Sequence, residues 1–537
     1  MKKSIVIAAL AALSLSSCLG DLDQYPLSDT TVSGSDIYAD PLYRKGMLSK
    51  IYGSFTLVGL SGSGSADISV SDAGASEFLR AWWSVQTLST DEAKIVWGDG
   101  WVNEVKYNAW TDTKNDAIYA TYTRAMMMIS SANDFLRNTD DADAEVARER
   151  AEVRFLRSYA YWILLDCFGT PPFVDETAPV GDYKPMQTDP VTLFGWIESE
   201  LKALTADDSA LSAAGTRIYP RVDKGAAYGL LARLYLNHRA YLGQENAAYW
   251  EGAKRAAEAV IAAYPLAGSY ANLFRGDNGE NPDALREIVY AACYDADKTQ
   301  SYGGPTFFIA ASQGDDKYLG TTEGWNGLVI SHDFVKGYFG AEADKAETGR
   351  DHAFADRRAL VTLRNSSDKE MNATAFDRGW HLSKYNNHPS TGELAVLPTY
   401  ASIDFPLMRS GEMYLAYAEA DARLKGGATT DAVAVGYYNA IRARAGRNAD
   451  EDGSITLAEI FDETTRELCF EGQRRTILIR YTDNRGESYF TSADFLWPYK
   501  GGVATGQALS SHLKLFPIPS DDLQANDNLE QNDGYAK

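Results

Sequence analysis

A helical period recurs along most of this chain and limits its possible folds more than any other feature. From Glu149 to Phe168, Val153, Leu156, Ala160, Ile163, Leu164 and Cys167 fall on one stripe, with Arg150, Arg154 and Arg157 opposite. This is the 3.6-residue spacing of an amphipathic helix, and Gly169-Thr170-Pro171-Pro172 ends it. Asp189 as N-cap and Pro190 at the first helical position open a second helix through Leu193, Ile197, Leu201 and Leu204. A third is expected from Asp223 to Asn237, where Gly225, Ala226 and Gly229 would admit a closely packed neighbouring helix. Further helices are predicted for Trp250 to Tyr264, Phe405 to Lys425, Ala432 to Ala445, and Thr456 to Arg480. The last opens with the capping box Thr456-Leu457-Ala458-Glu459. The fold class is therefore mainly α, with helix pairs joined by short turns into a repeat-like scaffold, although no strict repeat of roughly 34 residues recurs.

Charge narrows the ligands. Lys and Arg number 51 against 74 Asp and Glu, a net −23 over 537 residues. Such a field repels phosphate backbones and anionic headgroups, which speaks against nucleic acid, and neutral or cationic ligands are favoured. The N-terminus has Lys2 and Lys3, an apolar run Ile5 to Leu13 too short to span a bilayer, and a small-residue cleavage site ending at Cys18. Residues 1–17 thus read as a secretory signal peptide. Leu15-Ser16-Ser17-Cys18 resembles a lipobox, making Cys18 the lipid anchor; the alternative is plain secretion with Cys18 merely near the cut. Residues 18–31 form a polar tether, and 32–537 the folded body. Cys167, Cys293 and Cys469 stand singly in apolar surroundings and read as buried thiols, not as a disulfide framework or a zinc site.

Two stretches break the helical pattern. Residues 54–115 and 275–400 are rich in Gly, Ser, Asn, Asp and aromatic residues, and long irregular segments carry binding surfaces. The first holds Trp82, Trp83, Trp97, Trp101 and Trp110; the second holds Tyr302, Tyr318, Trp325 and Trp380. Tryptophan and tyrosine suit half-exposed contact surfaces because each joins an apolar face to a polar tip. The turn Asp277-Asn278-Gly279-Glu280-Asn281 is oxygen-rich enough for a structural calcium, but it lacks the spacing of a calcium loop, and a solvated turn is the alternative. No other cofactor is implied.

Six blocks resemble the signature motifs of the SusD/RagB family and occur in the family's order. They are Arg150-Ala151-Glu152-Val153-Arg154-Phe155-Leu156-Arg157-Ser158-Tyr159, Asp223-Lys224-Gly225-Ala226-Ala227, Phe405-Pro406-Leu407-Met408-Arg409, Phe470-Glu471-Gly472-Gln473-Arg474-Arg475, Phe516-Pro517-Ile518-Pro519 and Gln531-Asn532-Asp533-Gly534-Tyr535. The resemblance implies an outer-membrane, surface-exposed, lipid-anchored protein with tetratricopeptide-like helices. It also implies an oligosaccharide ligand, less often a peptide, and a SusC-like TonB-dependent transporter as partner. Ser89-Thr90-Asp91-Glu92, Tyr302-Gly303-Gly304 and Thr321-Thr322-Glu323-Gly324-Trp325 are similar to the loops of the family's starch-binding founding member. On that likeness Tyr302 and Trp325 match two members of an aromatic arc, and Arg80 matches a polar contact. The third arc position falls on Ile95, a departure that Trp97 or Trp101 could make good, and the next polar position falls near Asp99 and Gly100.

Other functional classes have less support. No His-Glu-x-x-His, Gly-Lys phosphate loop or Gly-x-Ser-x-Gly elbow occurs, so a non-catalytic protein is expected. A glycosidase carboxylate pair, whose spacing exists only in space, stays open at this level, as do fructan and host glycan as ligands.

Overall fold

The computed structural model describes residues 34–59, 62–111, 114–345, 354–364, 376–450 and 452–536. The signal peptide, the tether and Cys18 lie outside these residues. In chain order the main elements are α1 (Pro41–Gly53), α2 (Phe78–Thr87), β1 (Lys94–Ile95), α3 (Gly100–Lys106), α4 (Asp116–Arg137) and α5 (Ala144–Phe168). Next come α6 (Pro190–Thr205), α7 (Lys224–Leu236), α8 (Ala247–Ala263), β2 (Ile288–Ala292), α9 (Gly304–Ser312), β3 (Leu328–Val329), β4 (Val361–Arg364) and β5 (Gly379–Leu382). The chain closes with β6 (Phe405–Arg409), α10 (Ser410–Leu424), α11 (Ala432–Arg444), α12 (Leu457–Leu468) and α13 (Arg474–Arg480).

Successive helices stack in sequence order. α4 packs on α5, α5 on α6, α6 on α7, α7 on α8, α8 on α10, and α10 on both α11 and α12. The caps follow local chemistry. Asp189, Asp223 and Thr456 each accept from backbone N–H groups of the turn they open, and Glu459 closes the box on Thr456.

The arginine face of α5 is engaged by neighbouring side chains. Helices cover it on two sides, Arg157 is buried against Asn133 at 2.6 Å and Glu176, and Arg154 is bound by Glu200 at 2.8 and 2.9 Å. Phe405 to Arg409 is strand, not helix: it pairs antiparallel with β2, Phe405 opposite Ala292 and Arg409 opposite Ile288, and α10 starts only at Ser410. Gly229 consequently admits the Met408 side chain of this strand and not a helix. The helix predicted from Thr456 to Arg480 is broken. Phe470 and Gly472 take positive φ angles of 64° and 71°, turning Phe470-Glu471 inward between α12 and α13.

That inward turn closes a buried ionic knot. Arg409 donates to Glu471 at 2.7 and 2.8 Å and to Glu287 at 2.8 Å, and also reaches the Glu467 carboxylate and carbonyl. Lys384 donates to Glu471 at 2.6 Å, Arg444 to Glu287 at 2.7 Å, and Arg358 to Glu463 at 2.6 Å and Asp356 at 2.7 Å. Buried charges are tolerable only when fully paired and hydrogen-bonded. The surrounding guanidinium and ammonium groups outweigh burial and hold the Glu467 and Glu471 carboxyls below the usual carboxylate range. Their folded-state values lie below the unfolded ones, so their stabilisation is complete above about pH 4.5 and is lost as pH falls. Arg409→Met leaves three carboxylates short of a cation, and denaturant unfolding should show a loss of about 3–5 kcal/mol with acid unfolding beginning at higher pH. An unchanged midpoint would mean that the knot contributes nothing.

Candidate functional site

Two segments far apart in the chain meet because one short ribbon joins them. β1 pairs antiparallel with β3, Ile95 opposite Leu328 and Lys94 opposite Val329, and Val96 N–H donates to the Gly327 carbonyl at 2.9 Å. Carried one step further, this register sets Trp97 beside Asn326, whose carbonyl accepts from the Trp97 indole at 3.0 Å. The neighbouring Trp325 meets Trp97 edge-on, with centroids 6.0 Å apart and planes at 62°. Trp325 in turn lies 5.8 Å from Tyr302, and Tyr302 lies 5.2 Å from Tyr400. Trp97, Trp325, Tyr302 and Tyr400 therefore form one continuous chain of rings, each half-buried.

Polar groups frame the rings. Trp325 donates to the Glu323 carboxylate at 3.1 Å, and the Tyr400 and Ser63 hydroxyls share a hydrogen bond at 2.8 Å. Burial and its contact with Tyr400 raise the Tyr302 phenol above its ordinary value, keeping it a neutral donor at physiological pH. Arg80 lies beneath this chain. Its guanidinium sits 4.5 Å from the Phe307 centroid and 5.9 Å from Trp97, donates to the Tyr302 carbonyl at 3.4 Å, and pairs with Asp72 at 3.1 Å. Only 4% of the Arg80 side chain is accessible against 53% for Asp72, so the pair presents a carboxylate outward. Asp99, exposed at the start of α3, adds a further negative charge that acts on Arg80.

The structure thus brings Trp97, Tyr302 and Trp325 together, with Arg80 and Asp99 close by. Ile95 is fully buried within β1, and Trp101 is core-packed in α3, so Trp97 supplies the third ring. Trp82, Trp83, Trp110 and Trp380 are also core residues. Asp72 and Tyr400 were missed. Their only sequence signals are an acidic turn, Ser71-Asp72-Ala73-Gly74, shortly before Arg80, and a tyrosine at the far end of the second irregular segment. In the oxygen-rich turn, Asp277 accepts from the Ser390 N–H at 2.9 Å and its hydroxyl at 2.5 Å, and Asn278 is buried against the Asp404 backbone. Among the described residues no cluster of three or more His, Cys, Asp or Glu could hold a metal ion.

The ring chain is an open shelf. A cavity of about 850 Å³ lies elsewhere, between the end of α5, the start of α6 and the C-terminal segment, and no shelf residue lines it. Its Gln187 and Asn532 amides are spent on backbone carbonyls. The shelf, by contrast, offers apolar ring faces between accessible hydroxyls and carboxylates. That combination fits a pyranose, one face of which is C–H bonds and the rim of which is hydroxyls.

Gly327 seats the third ring. Its φ is +100°, and a Cβ there would come within 2.3 Å of the Trp97 indole nitrogen. Gly327→Ala should expel the Trp97 ring, raising acrylamide quenching of tryptophan fluorescence while far-UV circular dichroism is unchanged. Unaltered quenching would show that the ribbon does not seat this ring.

Comparison with known proteins gives consistent matches. A family model described as "SusD family" matches residues 253–535, and one described as "Starch-binding associating with outer membrane" matches residues 78–236. The starch-binding protein SusD of Bacteroides thetaiotaomicron is 30% identical over 569 aligned residues, covering 99% of this chain and 98% of that protein. A solved SusD homologue from the same organism superposes with a TM-score of 0.69 at 19% identity, covering 94% of this chain and 99% of its own. Surface glycan-binding protein A from Bacteroides uniformis superposes with a TM-score of 0.68 at 19% identity, covering 92% and 99%.

Proposed function

The chain belongs to the SusD family, and on that premise we propose that it captures neutral oligosaccharides of the α-glucan type on the Trp97, Trp325 and Tyr302 rings. It is a binding protein and not an enzyme. The observation that carries the reading is the unbroken chain of half-exposed rings bordered by Asp72, Glu323 and the Tyr400 hydroxyl. The choice of α-glucan is supported by the relative of 30% identity that is named for starch binding, and the choice of a neutral glycan by the net charge of −23.

The energetics suit capture followed by release. Covering about 50 Å² of each stacked sugar contributes on the order of 1 kcal/mol per ring at roughly 25 cal/mol/Å². Three rings and a few hydrogen bonds of about 1 kcal/mol each give roughly 4–6 kcal/mol, a dissociation constant from millimolar to tens of micromolar. A ligand held this weakly can be handed on. The partner in this reading is a SusC-like TonB-dependent transporter that the protein covers as a lid. Residues 1–17 serve as the signal peptide, and Cys18 carries the lipid that holds residues 32–537 at the outer-membrane surface. Several acyl chains are needed there, because a single one binds a membrane only marginally.

Calorimetry of residues 19–537 against maltooligosaccharides, fructans and host glycans should detect binding with the maltooligosaccharides alone. Trp97→Ala, Trp325→Ala and Tyr302→Ala should each weaken it by about fivefold, the equivalent of roughly 1 kcal/mol. Binding to fructan or host glycan instead would change the ligand class, and retained affinity in all three variants would move the site. For the anchor, metabolic labelling should place fatty acid on the wild-type protein and none on Cys18→Ala.

A further inference from the structure

The turn that carries Tyr302 is built around a buried acid. Glu77 precedes α2 and caps none of its N–H groups; its side chain turns inward and is fully buried. The Tyr294 hydroxyl is hydrogen-bonded to one carboxyl oxygen and the Ser301 hydroxyl to the other. Ser301 also accepts from Gly303 N–H at 2.9 Å, closing the turn on itself. The two glycines that follow Tyr302 exist for this contact. A Cβ on Gly303 would fall 1.7 Å from a Glu77 oxygen, and one on Gly304, whose φ is +49°, would fall 2.4 Å from the Tyr294 hydroxyl. Among the described residues no Lys or Arg nitrogen pairs with Glu77. The nearby cations are committed elsewhere, Arg80 to Asp72 at 3.1 Å and Arg124 to Asp67 at 2.7 Å.

We propose that Glu77 is the positioning residue of the shelf: its carboxyl clasps the Ser301–Gly304 turn and so sets the face that Tyr302 presents to a bound sugar. The inference rests on the reading of the shelf as the glycan site. Burial pushes this carboxyl up to about 8, so at neutral pH it carries a proton, and one of the two hydroxyls then accepts from it while the other donates to it. Glutamine reproduces that pattern, and alanine removes both bonds. Above that pH the carboxyl ionises in a dry site. The groups facing it are Arg80 on its own helix, Arg124 from α4, and Tyr294, behind which stand Asp404 and Cys293. Only the two arginines can answer a new negative charge. Arg80 is the one that also holds the Tyr302 carbonyl and Asp72, so ionisation pulls it off the shelf.

Two measurements on wild type, Glu77→Gln, Glu77→Ala and Ser301→Ala test this. Amide hydrogen exchange of residues 299–305 without ligand should be about tenfold faster in Glu77→Ala, intermediate in Ser301→Ala and unchanged in Glu77→Gln. Affinity for a linear maltooligosaccharide should fall at least about threefold from pH 6.5 to pH 9 in wild type and stay level in Glu77→Gln. Equal exchange in wild type and Glu77→Ala overturns the clasp, whatever the binding result. Parallel pH profiles in wild type and Glu77→Gln overturn the role of its ionisation. If Glu77→Ala does not fold, the comparison of Ser301→Ala with Glu77→Gln decides in its place. Absence of glycan binding in wild type refutes the reading of the site and leaves the exchange result to judge the clasp alone.

Discussion

The guanidinium of Arg409, buried among Glu287, Glu467 and Glu471, is the contact on which the geometry of the shelf depends. Its partners come from the residue before β2, the end of α12 and the inward turn that follows, so satisfying one charge draws three distant stretches together. The constraint then runs outward through hydrogen bonds. The inward turn presents the Phe470 carbonyl to the Trp83 indole and to the Tyr385 hydroxyl, both at 2.8 Å, and the Phe470 N–H to Glu92 at 3.1 Å. Trp83 lies on α2, whose first turn carries Arg80 and whose preceding residue is Glu77. A charge cluster in the core thus fixes the helix from which the shelf is supported.

The shelf combines a rigid base with an accessible face. Beneath the rings are a fully buried Ile95, a nearly inaccessible Arg80 and the Glu77 clasp; above them the ring faces are half exposed. This arrangement pre-organises the platform without enclosing a ligand, which suits the proposed capture and release. An enclosed pocket would hold more tightly and release more slowly. In the proposed reading the carboxylates of Asp72 and Glu323 set negative charge at the rim of a neutral ligand, where it would accept hydroxyl hydrogen bonds.

Helices marked by local chemistry were legible in the sequence, because a cap needs only the residues beside it. Asp189, Asp223 and the Thr456–Glu459 box each mark the end that the structure has. Phe405 to Arg409 was misjudged because its apolar pattern fits a helix as well as a buried strand, and only β2, more than a hundred residues earlier, decides between them. The break at Phe470 was hidden for a related reason. A phenylalanine at positive φ is unfavourable locally and persists because the knot and the Trp83 indole hold it there. Within the site, Tyr302 and Trp325 were recognisable from their motifs, while Asp72 and Tyr400 lie in turns whose composition resembles any solvated loop.

The sequence by itself determined the helical character of the scaffold, the helix starts marked by caps and the segments in which the rings lie. Each of these follows from spacing, capping or motif within a short window. Which rings face solvent was decided only by the tertiary structure. Trp97 and Trp101 are four residues apart and chemically identical; the register of β1 on β3 brings one against Trp325, and α3 turns the other into the core. Ile95, the apparent gap in the arc, is the buried residue whose pairing with Leu328 makes that register possible. Exposure of a side chain is settled by what packs against it, and here the partners come from a stretch more than two hundred residues further along the chain.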